Sequence, residues 1–325
     1  MKKVLVSGGA GYIGSVMIRL LLEKGYKTRV IDKLEFGGES IVDLLNNNDF
    51  EFIKGDIRQK DDLKKALKDI DYVVHLASIV GDPACAQEPE LATSTNFEGT
   101  KLFYNLANEM GVKKFLFAST CSNYGKMDDP STLINEESPL NPISLYAETK
   151  VKSERFLLDQ PKSSICKPTI LRLSTVYGLS PRPRFDLTVN EFTRDLALDK
   201  ELLIFGEQFW RPYCHVVDLA RAFITVIGSS EKDVAFDVFN VGNTDENYQK
   251  KMLVDEISKQ IPNVKIKYVH KEEDPRDYRV SFEKISSKLG YKTTKTVPEG
   301  IRDIISSVQL GFFKDPYDAK YKNIR

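Results

Sequence analysis

The chain has 325 residues, enough for two lobes and a sizeable core, and its 47 basic and 47 acidic residues cancel, so no basic field points to nucleic acid or an anionic membrane. No apolar stretch approaches the ~20 residues a bilayer span needs, and the N-terminal VLV is too short for a signal-peptide core, so a cytoplasmic protein is expected. Cys85, Cys121, Cys166 and Cys214 are scattered with no CxxC pair, which predicts neither a disulfide framework nor a metal site.

Val4–Ser7 reads as a buried parallel strand, followed by a helix over Tyr12–Lys24 with Ile13, Val16, Met17, Leu20 and Leu21 facing inward. Lys27–Asp32 and Phe50–Lys54 read as strands, Asp62–Leu67 as a short helix, and Tyr72–His75 as a strand. A long helix is predicted over Pro89–Met110, ended by Gly111. Lys114–Ala118 is then a strand, Ser144–Leu158 a helix and Thr169–Leu173 another strand. This alternation predicts βαβ units and an α/β fold: a Rossmann-type doubly wound parallel sheet over residues 1–176. Beyond it the pattern loosens. Residues 177–325 are expected to form mainly a smaller mixed α/β lobe, capping the carboxyl edge of the sheet where ligands bind. The apolar VFNV, Val238–Val241, predicts a strand near 236–242 that returns to the main sheet, and the polar tail DPYDAKYKNIR is expected to be extended.

The segment SGGAGYIG follows the first strand and opens the first helix. Glycine backbone can approach a pyrophosphate closely, and a helix N-terminus offers free N–H groups and the positive end of its dipole. The second strand ends in Asp32, an acidic residue suited to a ribose diol. Asp32 in place of an arginine also disfavours a 2′-phosphate, so the expected cofactor is NAD rather than NADP. Counted from Gly8, the spacing is GxxGxxG through Gly11 and Gly14. With Ser7 in front it resembles the TGxxGxxG loop of the extended short-chain dehydrogenase/reductase superfamily, in its NAD-dependent nucleotide-sugar epimerase/dehydratase branch.

That resemblance asks for a YxxxK helix and an upstream Ser or Thr at a strand end. SLYAETKVKSERF contains Tyr146 and Lys150 one helical turn apart, and FASTCSNYG offers Thr120 with Tyr124–Gly125 behind it. A phenol near pKa 10 is a poor base at neutral pH, and an adjacent ammonium favours its phenolate. Tyr146 is therefore the expected acid/base, Lys150 lowers its pKa and holds the nicotinamide ribose, and Thr120 hydrogen-bonds the reacting oxygen. The resemblance further implies that Gly8, Gly11, Tyr12, Ile13, Gly14 and Asp32 hold the cofactor. It adds Asp56 and Ile57 of KGDIRQ, Leu76, Ala77 and Ser78 of HLAS, and Asn96 of TNFEGT. His75 is expected to be packing. On the substrate side it places Cys121, Ser122, Thr175 of LRLSTVYG, Asn190, Arg211 of FWRPYCHVVD and Arg276 of DPRDYRV. The two arginines suit a diphosphate because the guanidinium fork meets two oxygens at once.

Departures narrow the expected chemistry. Sugar 4,6-dehydratases carry TDE at the Thr120 segment, whereas here Cys121 and Ser122 follow, so elimination of water is disfavoured. Two segments, Ser78–Pro89 and Ser180–Asn190, are placed over the sugar. They resemble a subgroup acting on surface-polysaccharide sugars, nucleotide-linked heptoses among them. The substrate class implied is a nucleotide-diphosphate sugar oxidised at carbon 4. The expected enzyme is a 4-epimerase with a transient 4-keto intermediate; a 4-dehydrogenase that releases the keto sugar is the alternative, and a non-catalytic NAD-binding sensor a third. The resemblance also implies a homodimer through the Pro89–Met110 and Ser144–Leu158 helices.

Overall fold

The computed structural model describes residues 1–127, 129, 132–269 and 276–323. Its strands are β1 (Lys3–Ser7), β2 (Lys27–Asp32), β3 (Phe50–Lys54), β4 (Tyr72–His75), β5 (Lys114–Thr120), β6 (Lys167–Leu173), β7 (Thr175–Tyr177), β8 (Leu202–Phe205), β9 (Trp210–His215), β10 (Asp237–Val241), β11 (Asn247–Gln249) and β12 (Ile266–Val269). Seven of them form one sheet in the order β10-β6-β5-β4-β1-β2-β3, with every neighbouring pair parallel. Parallel strands covered on both faces carry near-continuous apolar runs; β5 is buried throughout, with the apolar run Phe115–Ala118 at its centre. The strand order reverses between β1 and β4, which opens a crevice at their carboxyl ends. The glycine loop leaves β1 at this crevice and Leu76–Ser78 leave β4 beside it.

The predicted strands appear with small shifts at their ends. β5 runs to Thr120 rather than Ala118 because Ser119 and Thr120 pair with Arg172 and Leu173. The Ser144–Leu158 helix starts at Leu145, with the Ser144 hydroxyl accepting from Ala147 N–H as its cap. The long helix is not uniform: Pro89–Thr93 and Gly99–Glu109 are joined by a π turn over Ser94–Glu98. Its cause is local. The Asn96 carbonyl accepts the hydroxyls of Thr100 (2.7 Å) and of Ser153 from the neighbouring helix (2.9 Å), which competes with the regular ladder.

VFNV does return to the main sheet, as β10 beside β6. The Val216–Gly228 helix also returns, sharing a core with the Tyr12–Glu23 helix through Phe223, Ala220, Met17 and Leu21. A separate core built from Phe185, Val189, Ile204, Tyr213, Leu253, Ile257, Ile301 and Ile304 supports the second lobe. The polar tail is not freely extended: Tyr321 accepts a hydrogen bond from Phe185 N–H (2.9 Å) and its ring meets Phe185 and Phe313 edge-on.

One buried cation locks a returning helix to the sheet. Lys114, at the start of β5, is 6% exposed and its Nζ donates to the carbonyls of Val226 (3.2 Å), Ile227 (2.8 Å) and Ser229 (2.6 Å). These carbonyls lie at the C-terminal end of the Val216–Gly228 helix, which is left without intrahelical partners and carries the negative end of the dipole. Lys114→Met keeps the stem and deletes the donors. It is expected to cost about 2 kcal/mol in urea unfolding, as buried carbonyls lose their partners; an unchanged midpoint would show that water replaces the ammonium.

Candidate active site

The floor of the crevice is the turn from β1 into the Tyr12–Glu23 helix. Gly8 has φ +73°, and a Cβ there would lie 2.8 Å from Ala77 N, so only glycine lets this turn touch the end of β4. Gly14 presses against the backbone of Gly9. Gly11 is different. A Cβ on it would meet only Gly8 O, at 3.2 Å, and no side chain caps the helix it begins. An uncapped helix start beneath an open glycine presents unsatisfied N–H groups to an anion, which fits a pyrophosphate. Tyr12 ties this floor to the second lobe, its hydroxyl donating to Gly178 O, while Ile13 is half-buried beside it.

Asp32 stands at the end of β2 as the sequence predicts. Its Oδ2 accepts from Ala10 N–H (3.0 Å) and its Oδ1 from Leu34 N–H (2.8 Å), so the carboxylate is fixed in direction and each oxygen retains a lone pair for a diol. Burial pushes its pKa up and these two N–H groups oppose the rise. Asp56 is forked to Arg58 (2.6 Å). Its neighbour Ile57 is 5% exposed, with its side chain in the core under the Gly99–Glu109 helix. Asn96 lies behind the Ser78–Ile79 loop. At 1% exposure its Oδ1 accepts from Ser78 Oγ and Ile79 N–H (both 2.8 Å), and its Nδ2 donates to Ile79 O (3.0 Å) and Thr149 Oγ1 (3.3 Å). It braces the Leu76–Ser78 loop against the Leu145–Leu158 helix from behind. His75 is packing: buried between Ser7 Oγ (2.7 Å) and Thr100 Oγ1 (2.9 Å), with burial pushing its pKa down to about 3.

Lys150 lies beside Tyr146 and reaches the strand that ends at Thr120. Lys150, 2% exposed, donates to Ala118 O (2.9 Å), and its Nζ lies 4.8 Å from the Phe117 ring centre and 5.8 Å from that of Tyr146. Burial lowers its pKa to about 8. The Tyr146 phenol is not lowered in the chain by itself: burial raises it, Cys85 and Asp82 add to the rise, and Arg184 opposes it. The ammonium spends its hydrogen bond on the Ala118 carbonyl and not on the phenol. Thr120 Oγ1 accepts from Ser122 N–H (3.1 Å) and keeps its own proton to donate. Ser122 is half-buried, with the Tyr278 hydroxyl 3.5 Å from its Oγ.

Cys121 is a correction. Its thiol is 1% exposed and donates to Arg172 O (3.4 Å), and burial pushes it well above the usual thiol range. It is a core side chain and an inert one. Asn190 is likewise committed to the protein. Its Oδ1 accepts from Gly178 N–H (2.9 Å), while its Nδ2 donates to Arg184 O (2.8 Å), Gly178 O (3.2 Å) and the Tyr12 hydroxyl (3.3 Å). It shapes the wall without presenting a free amide. Thr175 opens β7 and is half-buried. Arg211 lies under the Tyr278 ring, 5.2 Å from its centre, and donates to Trp210 O (2.6 Å) and Arg276 O (2.5 Å). Arg276 in turn reaches Asp82, Nη1 to Oδ2 3.0 Å.

Sequence reasoning did not single out Asp82, Cys85, Arg184 or Tyr278, the charged and polar groups around Tyr146. Three of them lie in Ser78–Pro89 and Ser180–Asn190, the segments placed over the sugar, so the segments were the available signal. Among the described residues no cluster of His, Cys, Asp or Glu could hold a metal ion, and no helix is long and apolar enough to cross a membrane.

Residues 4–242 match the model of the NAD dependent epimerase/dehydratase family. The chain is 31% identical over 326 aligned positions to a UDP-glucose 4-epimerase of Lactobacillus helveticus, covering 94% of this chain and 95% of that one. The Thermotoga maritima UDP-glucose 4-epimerase solved with UDP-glucose superposes with a TM-score of 0.84 at 27% identity, covering 96% of this chain and 100% of that one. A Bacillus cereus UDP-glucuronic acid 4-epimerase, solved with UDP-glucuronic acid and NAD, gives 0.84 at 26% identity over 95% and 99% of the two chains.

Proposed function

Since the chain belongs to the NAD-dependent epimerase/dehydratase family, we propose that it is a nucleotide-sugar 4-epimerase, oxidising carbon 4 to a transient ketone and reducing it again on the opposite face. NAD is its cofactor, and when bound it supplies the acceptor and donor of the hydride. The chain's own part is acid–base chemistry and positioning. Tyr146 takes the proton of the 4-hydroxyl and returns it, and Thr120 donates to the same oxygen. Lys150, held charged against the Ala118 carbonyl, biases the phenol toward its anion as a sugar displaces water around it. Arg211 and Arg276 are assigned to the diphosphate. The long helix over 89–109 and the Leu145–Leu158 helix are assigned to pairing of two chains.

The observation that carries the choice against dehydration is the Thr120 turn. Elimination needs an added acid and base there; Cys121 is turned into the core and Ser122 alone remains. The relatives named above are 4-epimerases, which favours re-reduction in the site over release of the ketone. Incubation with UDP-glucose, UDP-glucuronic acid and their 4-epimers is expected to give an equilibrium mixture of one pair with no lasting NADH absorbance. Stoichiometric accumulation of NADH and a keto sugar would establish the dehydrogenase instead.

A further inference from the structure

We infer that Asp82 is a built-in competitor for the substrate's diphosphate, occupying Arg276 between turnovers and surrendering it when a nucleoside diphosphate enters. The inference rests on the nucleotide-sugar reading above. Asp82 follows β4: Gly81, at φ +98°, turns the chain so that the short Asp82–Gln87 helix begins beyond the strand ends. Arg276 comes from an independently anchored element. Its carbonyl accepts from Arg211, Asp277 Oδ1 accepts from Trp210 N–H (2.8 Å), and Tyr278 N–H donates to Trp210 O (3.3 Å). The backbone from Arg276 to Tyr278 is therefore held to Trp210 and Arg211, and the Arg276 side chain crosses to Asp82, with the pair 24% and 31% exposed.

A second ion pair in the same protein shows what a structural one looks like. Glu154 meets Arg172 through both carboxylate oxygens, and Oε1 also accepts from Ser119 and Asn123. Asp82 has only Oδ2 engaged; Oδ1 is buried and has no partner. A half-satisfied carboxylate is a poor lock, because its idle oxygen has lost water and gained nothing. A diphosphate offers more oxygens and more charge to the same guanidinium fork. The pair also stands beside the reaction site: the Asp82–Gln87 helix packs against the Leu145–Leu158 helix that carries Tyr146 and Lys150, and Arg276 O accepts from Arg211, which lies under the Tyr278 ring whose hydroxyl is 3.5 Å from Ser122 Oγ. Displacing Asp82 thus couples arrival of the diphosphate to a change beside the phenol.

The test is calorimetric titration of the NAD-loaded enzyme with UDP, dTDP, GDP, CDP and ADP. For the diphosphate that wild type prefers, Asp82→Asn is expected to bind roughly fivefold more tightly. Asp82→Ala, which retains no acceptor, is expected to do the same. In an Arg276→Met background, Asp82→Asn is expected to change nothing. Unchanged or weaker binding by both Asp82 variants, with melting temperatures confirming that they fold, overturns the competition. Equal tightening in the Arg276→Met background also overturns it, since the effect is then one of general field. Failure of wild type to bind any of the five overturns the nucleotide-sugar reading itself, and the inference falls with it.

Discussion

Tyr146→Phe is expected to lower turnover about 10³-fold while leaving the fold and nucleotide binding intact, the size of loss that follows removal of a positioned acid or base. The prediction is specific because of what Tyr146 does not do. Its bond to Thr149 uses its backbone carbonyl (2.8 Å), and its ring lies beside the Lys150 ammonium. Deleting the hydroxyl therefore removes no structural hydrogen bond, and Phe fills the same space. Steady-state rates should show the whole loss in kcat, with KM and melting temperature near wild type. Turnover within threefold of wild type would remove Tyr146 from the chemistry. The chain by itself raises the phenol pKa by burial, so the phenolate has to be favoured in the complex. Lys150, lowered to about 8, is still mostly charged at pH 7 and loses that charge as the pH rises past 8. The support it gives the phenolate therefore fades on the alkaline side.

What could be read from the chain alone follows the range of the interaction involved. The glycine loop, Asp32 and the Tyr146–Lys150 pair are local patterns, set by a turn, a strand end and one helical turn, and the fold puts them where local spacing says. The strands of the main sheet were equally legible, since a strand covered on both faces carries a near-continuous apolar run. The π turn at Ser94–Glu98 was not, because it depends on a hydroxyl from Ser153 on another helix. Nor could spacing say which way a side chain turns. Cys121, Ile57, Asn96 and Asn190 all lie beside the crevice in sequence, yet each is committed to core packing or to bracing. Asp82, Arg184 and Tyr278 come into the surroundings of Tyr146 from three separated segments, and no periodicity links them.

Glu154→Gln is expected to destabilise the protein by about 3–5 kcal/mol, because it leaves the Arg172 guanidinium charged and buried without its counter-ion. The pair is 2% and 5% exposed, with Nη2 to Oε2 at 2.7 Å. Arg172 Nη1 also donates to the Tyr124 hydroxyl (3.0 Å) and Glu136 O (3.2 Å). The Tyr124 hydroxyl in turn donates to Asn240 Oδ1 (2.7 Å), and the Asn240 backbone N–H donates to Glu136 Oε1 (2.7 Å). This network joins the ends of β5, β6 and β10 to the helix that carries Tyr146, with Glu154 one turn below Lys150. Its value lies in register rather than in net energy: a buried ion pair returns little more than its desolvation cost, but it accepts only one arrangement. A second variant separates the two. Glu154→Leu combined with Arg172→Met removes both charges, so urea unfolding should recover much of the lost stability, while turnover should stay low because the bond from Lys150 to Ala118 O is then left alone to set the helix against β5. A double variant as unstable as the sum of the two single ones would mean that the penalty is lost packing and not an orphaned charge. A double variant restored in both stability and turnover would show that apolar packing alone can hold the Tyr146 helix in place.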